Sequence, residues 1–141
     1  MRLDYRQVAP EAVRAMRGLE AYVKSSGLEP PLLELVKIRA SQLNGCAYCI
    51  DLHTRQARAA GEAERRIYAL SARLETPFFS ARERAVLAWA EAVTLLAESR
   101  VPDDVYEEAR RHDRELVDMT MAVVAINGWN RLAVAFRIPP E

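Results

Sequence analysis

Cys46 and Cys49 stand three positions apart, and His53 follows four positions after the second of them. No other cysteine occurs in the chain. A C-x-x-C pair supports reversible disulfide chemistry, metal ligation, or no chemistry at all if both thiols are buried and inert. Gly45, just before the pair, reads as the stop of one helix, so Cys46 reads as the start of the next. Backbone N–H groups in a first helical turn lack intrahelical partners, and the macrodipole places positive potential there. A thiolate is stabilised in that position. Cysteines so placed have pKa values of roughly 3.5–7.5 against about 8.5 for a free thiol. Positions 46, 49 and 53 share one helix face, with His53 one turn beyond Cys49. Histidine titrates near neutrality and is suited to exchanging a proton with that sulfur.

Other readings of these residues stay open on the sequence. Cys46, Cys49 and His53 are three ligands, as many as a catalytic zinc requires. Three ligands within two helical turns would crowd a tetrahedral ion. The other histidine, His112, is distant in sequence and reads as a solvated residue near a helix end. A c-type haem needs histidine directly after the second cysteine, where Ile50 stands. A thioredoxin fold would place a strand before the motif, where this chain has a helical pattern. Tyr48, inside the pair, points off the cysteine face by helix geometry, so it serves as packing or as a hydrogen-bond donor. Glu34 lies in the preceding helix, in line with Ile38 and Ser41. An acid there is also what helix-start electrostatics favour.

The elements that must carry these residues are helical nearly throughout. The pattern predicts helices from about Glu11 to Val23, from Pro30 to about Asn44, from Cys46 to about Ala60, and from Glu62 to about Leu74. A fifth opens on the capping box of Ser80 and Glu83 and runs to about Glu98. A short sixth starts at Pro102. The seventh, Asp113 to about Phe136, is long and mostly apolar, so it is expected at the centre or in a subunit interface. No strand pattern is present. The expected fold is an all-α, single-domain bundle of six to seven helices over residues 1–141. Trp89 with Val86, Val93 and Leu96 forms a stripe expected in the core. Gly128, among Asn127, Trp129 and Asn130 inside the last helix, is expected to mark close packing against another helix or subunit.

Half of the 141 residues are apolar and 28% are charged, with 20 basic and 20 acidic side chains. The balance gives no basic footprint for nucleic acid and no acidic tail. No apolar run approaches the roughly 20 residues a membrane span needs. No signal peptide is read at the start, and a cytoplasmic location is expected.

The arrangement of Glu34, eleven intervening residues, and C-A-Y-C-x-x-x-H resembles the alkylhydroperoxidase D family. That family lies within the carboxymuconolactone decarboxylase-like superfamily. The segments RERAVLAWAEAVT and INGWNRLAVAFR are similar to its small single-domain members, so the resemblance spans most of the chain. It implies a thiol-dependent peroxidase serving antioxidant defence, with Cys49 as peroxidatic cysteine and Cys46 as resolving cysteine. His53 and Glu34 would form the proton relay, and Tyr48 occupies the place of a second histidine. No metal or organic cofactor is implied. An external dithiol, from a lipoyl-bearing or thioredoxin-like protein, would restore the thiols after each hydroperoxide. A homo-oligomer, trimer or hexamer, is implied as well. Alternatives are a redox-sensing or disulfide-exchange module, or a decarboxylase-type lyase, a branch that generally lacks the C-x-x-C.

Overall fold

A computed structural model describes residues 1–141. The chain forms nine α-helices and no strand: α1 (Tyr5–Val8), α2 (Pro10–Ser25), α3 (Pro30–Asn44), α4 (Ala47–Ala59), α5 (Glu64–Ala69), α6 (Ala81–Thr94), α7 (Leu96–Ser99), α8 (Asp103–Ala109) and α9 (Asp113–Phe136). A 3₁₀ segment, Leu70–Glu75, continues α5.

Helix α3 is the central element. Its Leu32, Leu33, Leu35, Val36, Ile38, Ala40 and Ser41 are all buried, and it packs on α4, α6 and α9. One side joins Leu33 and Val36 to Val23, Val86, Trp89 and Val123. The other joins Leu35 and Ile38 to Ala57, Leu70, Phe79 and Leu87. Each large apolar side chain so buried contributes roughly 1.5–3 kcal/mol. A helix serving two apolar clusters must be apolar on most of its circumference, as α3 is. Helix α9 is only partly enclosed. Met119, Val123 and Ile126 face inward, while Val117, Val124 and Val134 remain exposed. No helix is long and apolar enough to cross a membrane.

The two helices beyond the expected six or seven are single turns. One, α1, is capped by Asp4, whose side chain accepts from the Arg6 backbone N–H. The other results from a break in the expected fifth helix. Its capping box forms, with Ser80 and Glu83 each bonding the other's backbone, but the helix ends at Thr94 and Leu95 leaves the helical region. Arg100 and Val101 then take positive φ of 56° and 51°. Ser99 ties this turn, donating to the Ala92 carbonyl at 2.6 Å and accepting from the Val101 N–H at 3.1 Å. Leu96 therefore leaves the Trp89 stripe and is 56% exposed, contrary to expectation. The expected fourth helix likewise gives way at Leu70 to the 3₁₀ turn, which presents the buried Arg73 to Glu91 as a two-bond fork.

The close approach expected at Gly128 is found within the chain. A Cβ built on Gly128 would stand 2.7 Å from the Met16 terminal methyl of α2. Met16 is flexible, so Gly128→Ala requires only a small shift and recovers helix propensity of roughly 1 kcal/mol. Gly128→Leu would push α2 from α9 and is expected to cost about 1–3 kcal/mol, the usual overpacking penalty. Chemical denaturation of the two variants separates these outcomes.

Candidate functional site

The site is built at the junction of α3 and α4. Gly45 takes the left-handed conformation, φ 65° and ψ 34°. Its N–H bonds the Gln42 carbonyl, and the Cys46 N–H bonds the Ser41 carbonyl at 2.9 Å. These two bonds satisfy the last carbonyls of α3 and turn the chain sharply into α4. Cys46 is the N-cap of α4, and its sulfur accepts the Cys49 backbone N–H at 3.3 Å. A negative sulfur at that position gains both the hydrogen bond and the helix potential. The two cysteines are joined as a disulfide, with Cα atoms 5.3 Å apart. Both are buried in a small cluster with Ala133 and Ile138.

One turn further along α4, His53 Nδ1 lies 3.1 Å from Glu34 Oε2. The pairing crosses from α4 to α3 and joins the two residues that the family resemblance set in one relay. With Nδ1 donating to the carboxylate, Nε2 is the nitrogen left to accept a proton. The second Glu34 oxygen is engaged by Lys37 Nζ at 3.6 Å, and Lys37 also reaches Glu20 of α2 at 3.7 Å. Burial pushes the Glu34 carboxyl up, but the His53 hydrogen bond and the Lys37 charge outweigh it. Its pKa therefore lies below the ordinary glutamate value.

A cavity of about 730 Å³ opens on these groups. Cys49, His53 and Glu34 line it, as do Tyr48, Trp129 and Lys37, whereas Cys46 does not. Of the two disulfide partners, Cys49 is thus the one on the cavity wall. Tyr48 packs against the cysteine cluster and makes no hydrogen bond to either sulfur. No group of three or more His, Cys, Asp or Glu side chains is arranged to hold a metal. His112, the N-cap residue of α9, is not among the residues that line the cavity.

An amide network, half-buried at Asn44 and Asn127 and buried at Asn130, joins α3 to α9. Asn44 donates to Asn127 at 3.0 Å and to Asn130 at 2.9 Å. Asn130, fully buried, donates to Ser41 Oγ at 3.0 Å. Asn127 donates in turn to Thr94 Oγ1 at 3.0 Å. These bonds pin the last turn of α3, on which the Cys46 N–H depends, to α9. The polar cluster Asn127–Asn130 inside an otherwise apolar helix was the available signal. Asn130→Leu would remove one of the two bonds made by Asn44 Nδ2, which keeps Asn127, and one of the two made by Ser41 Oγ, which keeps the Lys37 carbonyl, at about 0.5–1.5 kcal/mol for each bond lost. A fall of that size in denaturation midpoint stability is expected.

Residues 10–92 match the model of the Carboxymuconolactone decarboxylase family, a span holding Glu34, both cysteines and His53. The chain belongs to that family. The uncharacterized protein YdfG of Bacillus subtilis (strain 168) is 44% identical over 136 residues, covering 95% of this chain and 92% of its own. The crystal structure of ATU0492 from Agrobacterium tumefaciens superposes with a TM-score of 0.96 at 46% identity, covering 99% of this chain and 97% of that one. ATU0492 is a protein of unknown function suggested to be the antioxidant defence protein AhpD. Within the family, this chain is therefore alkylhydroperoxidase D-like, with the all-α fold expected. The debrominase Bmp8 shares the fold at 19% identity and a TM-score of 0.83, covering 94% of this chain and 72% of that one. Fold alone does not choose among such reactions, and the choice falls to the site.

Proposed function

We propose that this family member is a thiol peroxidase that reduces organic hydroperoxides through a Cys46–Cys49 disulfide cycle. The observation that carries this reading is that one cysteine of the pair, Cys49, lines a cavity shared with a carboxylate-anchored histidine, while its partner Cys46 is the helix N-cap outside that lining. In the reduced protein, His53 accepts the Cys49 proton at Nε2. The Cys49 thiolate attacks the terminal peroxide oxygen, the O–O bond breaks, and the alkoxide takes the proton from His53 to leave as alcohol. Cys49 is left as a sulfenic acid. Cys46 attacks that sulfur, the hydroxyl leaves as water, and the disulfide closes. One hydroperoxide and two thiols thus give one alcohol, one water and one disulfide.

Reopening the disulfide needs an external dithiol. Its first thiolate attacks the sulfur of the cavity-lining Cys49, and Cys46 departs as a thiolate stabilised by the Cys49 N–H and the helix potential. The donor in this reading is a lipoyl-bearing or thioredoxin-like protein in a reducing, cytoplasmic compartment. The uncovered valines of α9 offer a surface for homo-oligomeric assembly, as a trimer or hexamer. Tyr48 shapes the cavity wall beside Cys49.

The test is a product balance. Fully reduced protein is mixed with one equivalent of cumene hydroperoxide. Loss of both thiols with one equivalent of cumyl alcohol formed supports the reading, as does repeated turnover when a dithiol is added. Alcohol formation that leaves both thiols free would count against it.

A further inference from the structure

We infer that the cavity selects substrates that carry a carboxylate on an apolar body. The inference rests on the peroxidase reading for the reactive end of the substrate and on different residues for the rest. Its basis is a charge imbalance in the cavity wall. Lys37 is committed to Glu34 and Glu20, and Arg6 is held by Asp4 at 2.9 Å. Arg17 and Lys24 also line the cavity; both are exposed, and neither forms an ion pair. Glu20 stands between them on α2 and lines the cavity too, but with Lys37 shared by Glu20 and Glu34 the wall keeps one net positive charge, in a chain whose net charge is zero.

Helix geometry explains why both face the same space. Val13, Arg17, Ala21 and Lys24 repeat at intervals of three and four, forming one stripe of α2. Two turns separate the cations, about 10 Å along the axis, and the apolar positions Val13 and Ala21 also line the cavity. Leu33, Leu52 and Trp129 add further apolar lining. About 730 Å³ is within the range of roughly 300–1,000 Å³ typical of small-molecule sites. A small uncharged peroxide would use none of this. An amphiphile with a carboxylate would set its anion on Arg17 or Lys24 at the rim, its apolar body on Leu33 and Trp129, and its peroxide on Cys49.

The experiment compares cumene hydroperoxide bearing a para carboxylate with the methyl ester of that acid, following thiol loss in reduced protein. A preference for the acid of roughly tenfold is expected, the size of one charge-assisted hydrogen bond, and it should shrink as salt is raised. In the Arg17→Gln/Lys24→Gln double variant, the acid-to-ester ratio should fall toward one. Equal rates for acid and ester in the wild type, with thiols consumed, would overturn this inference and leave the peroxidase reading in place. If neither compound consumes thiols, the peroxidase reading fails instead. Calorimetric binding of the unreactive 4-isopropylbenzoate and its methyl ester then decides the charge selection. Tighter binding of the acid, lost in the double variant, supports it; equal binding overturns it.

Discussion

Cys49→Ser is expected to abolish hydroperoxide-driven thiol loss, with a fall on the order of a thousandfold or more, as when a covalent nucleophile is removed. Cys46→Ser should behave differently. Its remaining thiol keeps the cavity, the His53 neighbour and the first step, but no second sulfur can close the disulfide. The variant should consume one hydroperoxide per chain and stall as a sulfenic acid that a dimedone-type reagent traps. The asymmetry follows from placement. Cys49 lines the cavity, whereas Cys46 caps α4 outside that lining. Mass spectrometry of the two trapped variants checks the assignment. A sulfenic acid trapped in Cys49→Ser and absent from Cys46→Ser would reverse the two roles.

The second large effect is expected at the relay. His53→Gln removes the proton acceptor proposed for Cys49 and should slow thiol oxidation by about 10²–10⁴-fold near neutral pH, the usual range for a general base. The deficit should narrow as pH rises and Cys49 ionises without help. Glu34→Gln should act through His53, with a smaller loss of rate and an altered pH profile. Its stability signature is also defined in sign. The Glu34 carboxyl lies below its ordinary value of 4.5 in the folded protein, where burial raises it but His53 and Lys37 lower it further. Ionised Glu34 therefore contributes stability above about pH 4.5, and that contribution is lost as pH falls through the depressed folded value. Denaturation midpoints of wild type and Glu34→Gln should accordingly converge on acidification. A gap that widened toward low pH would contradict the pairing.

The local part of this site was legible because it depends on local rules. A glycine stop, a cysteine at the cap, and spacings of three and four put Cys46, Cys49 and His53 together within two turns. The long-range part was not. Glu34 could be named only through a resemblance, since its contact with His53 depends on how α3 and α4 pack. Lys37 was readable in principle, standing three residues after Glu34 on the same helix. Arg17 and Lys24 could not be read as cavity residues, because nothing local tells which stripe of α2 faces α3. Asn130 is a similar case: its polarity was visible, but its partners Asn44 and Ser41 lie on another helix. In the fold, the capping box at Ser80 and most limits of the longer helices followed from sequence, whereas the Asp4-capped turn α1 was not read. The break at Leu95 and the 3₁₀ turn at Leu70 did not. Both are tertiary outcomes, one tied by Ser99 and the other accompanied by the fork of Arg73 onto Glu91.

The central claim is that Cys49 is an activated peroxidatic thiol. It is tested most directly by the second-order rate constant for oxidation of the fully reduced protein by cumene hydroperoxide at pH 7, set beside that of free cysteine. A constant at least about a hundredfold above free cysteine, at the lower edge of what a positioned base supplies, is the result predicted. Oxidation no faster than free cysteine would contradict the account.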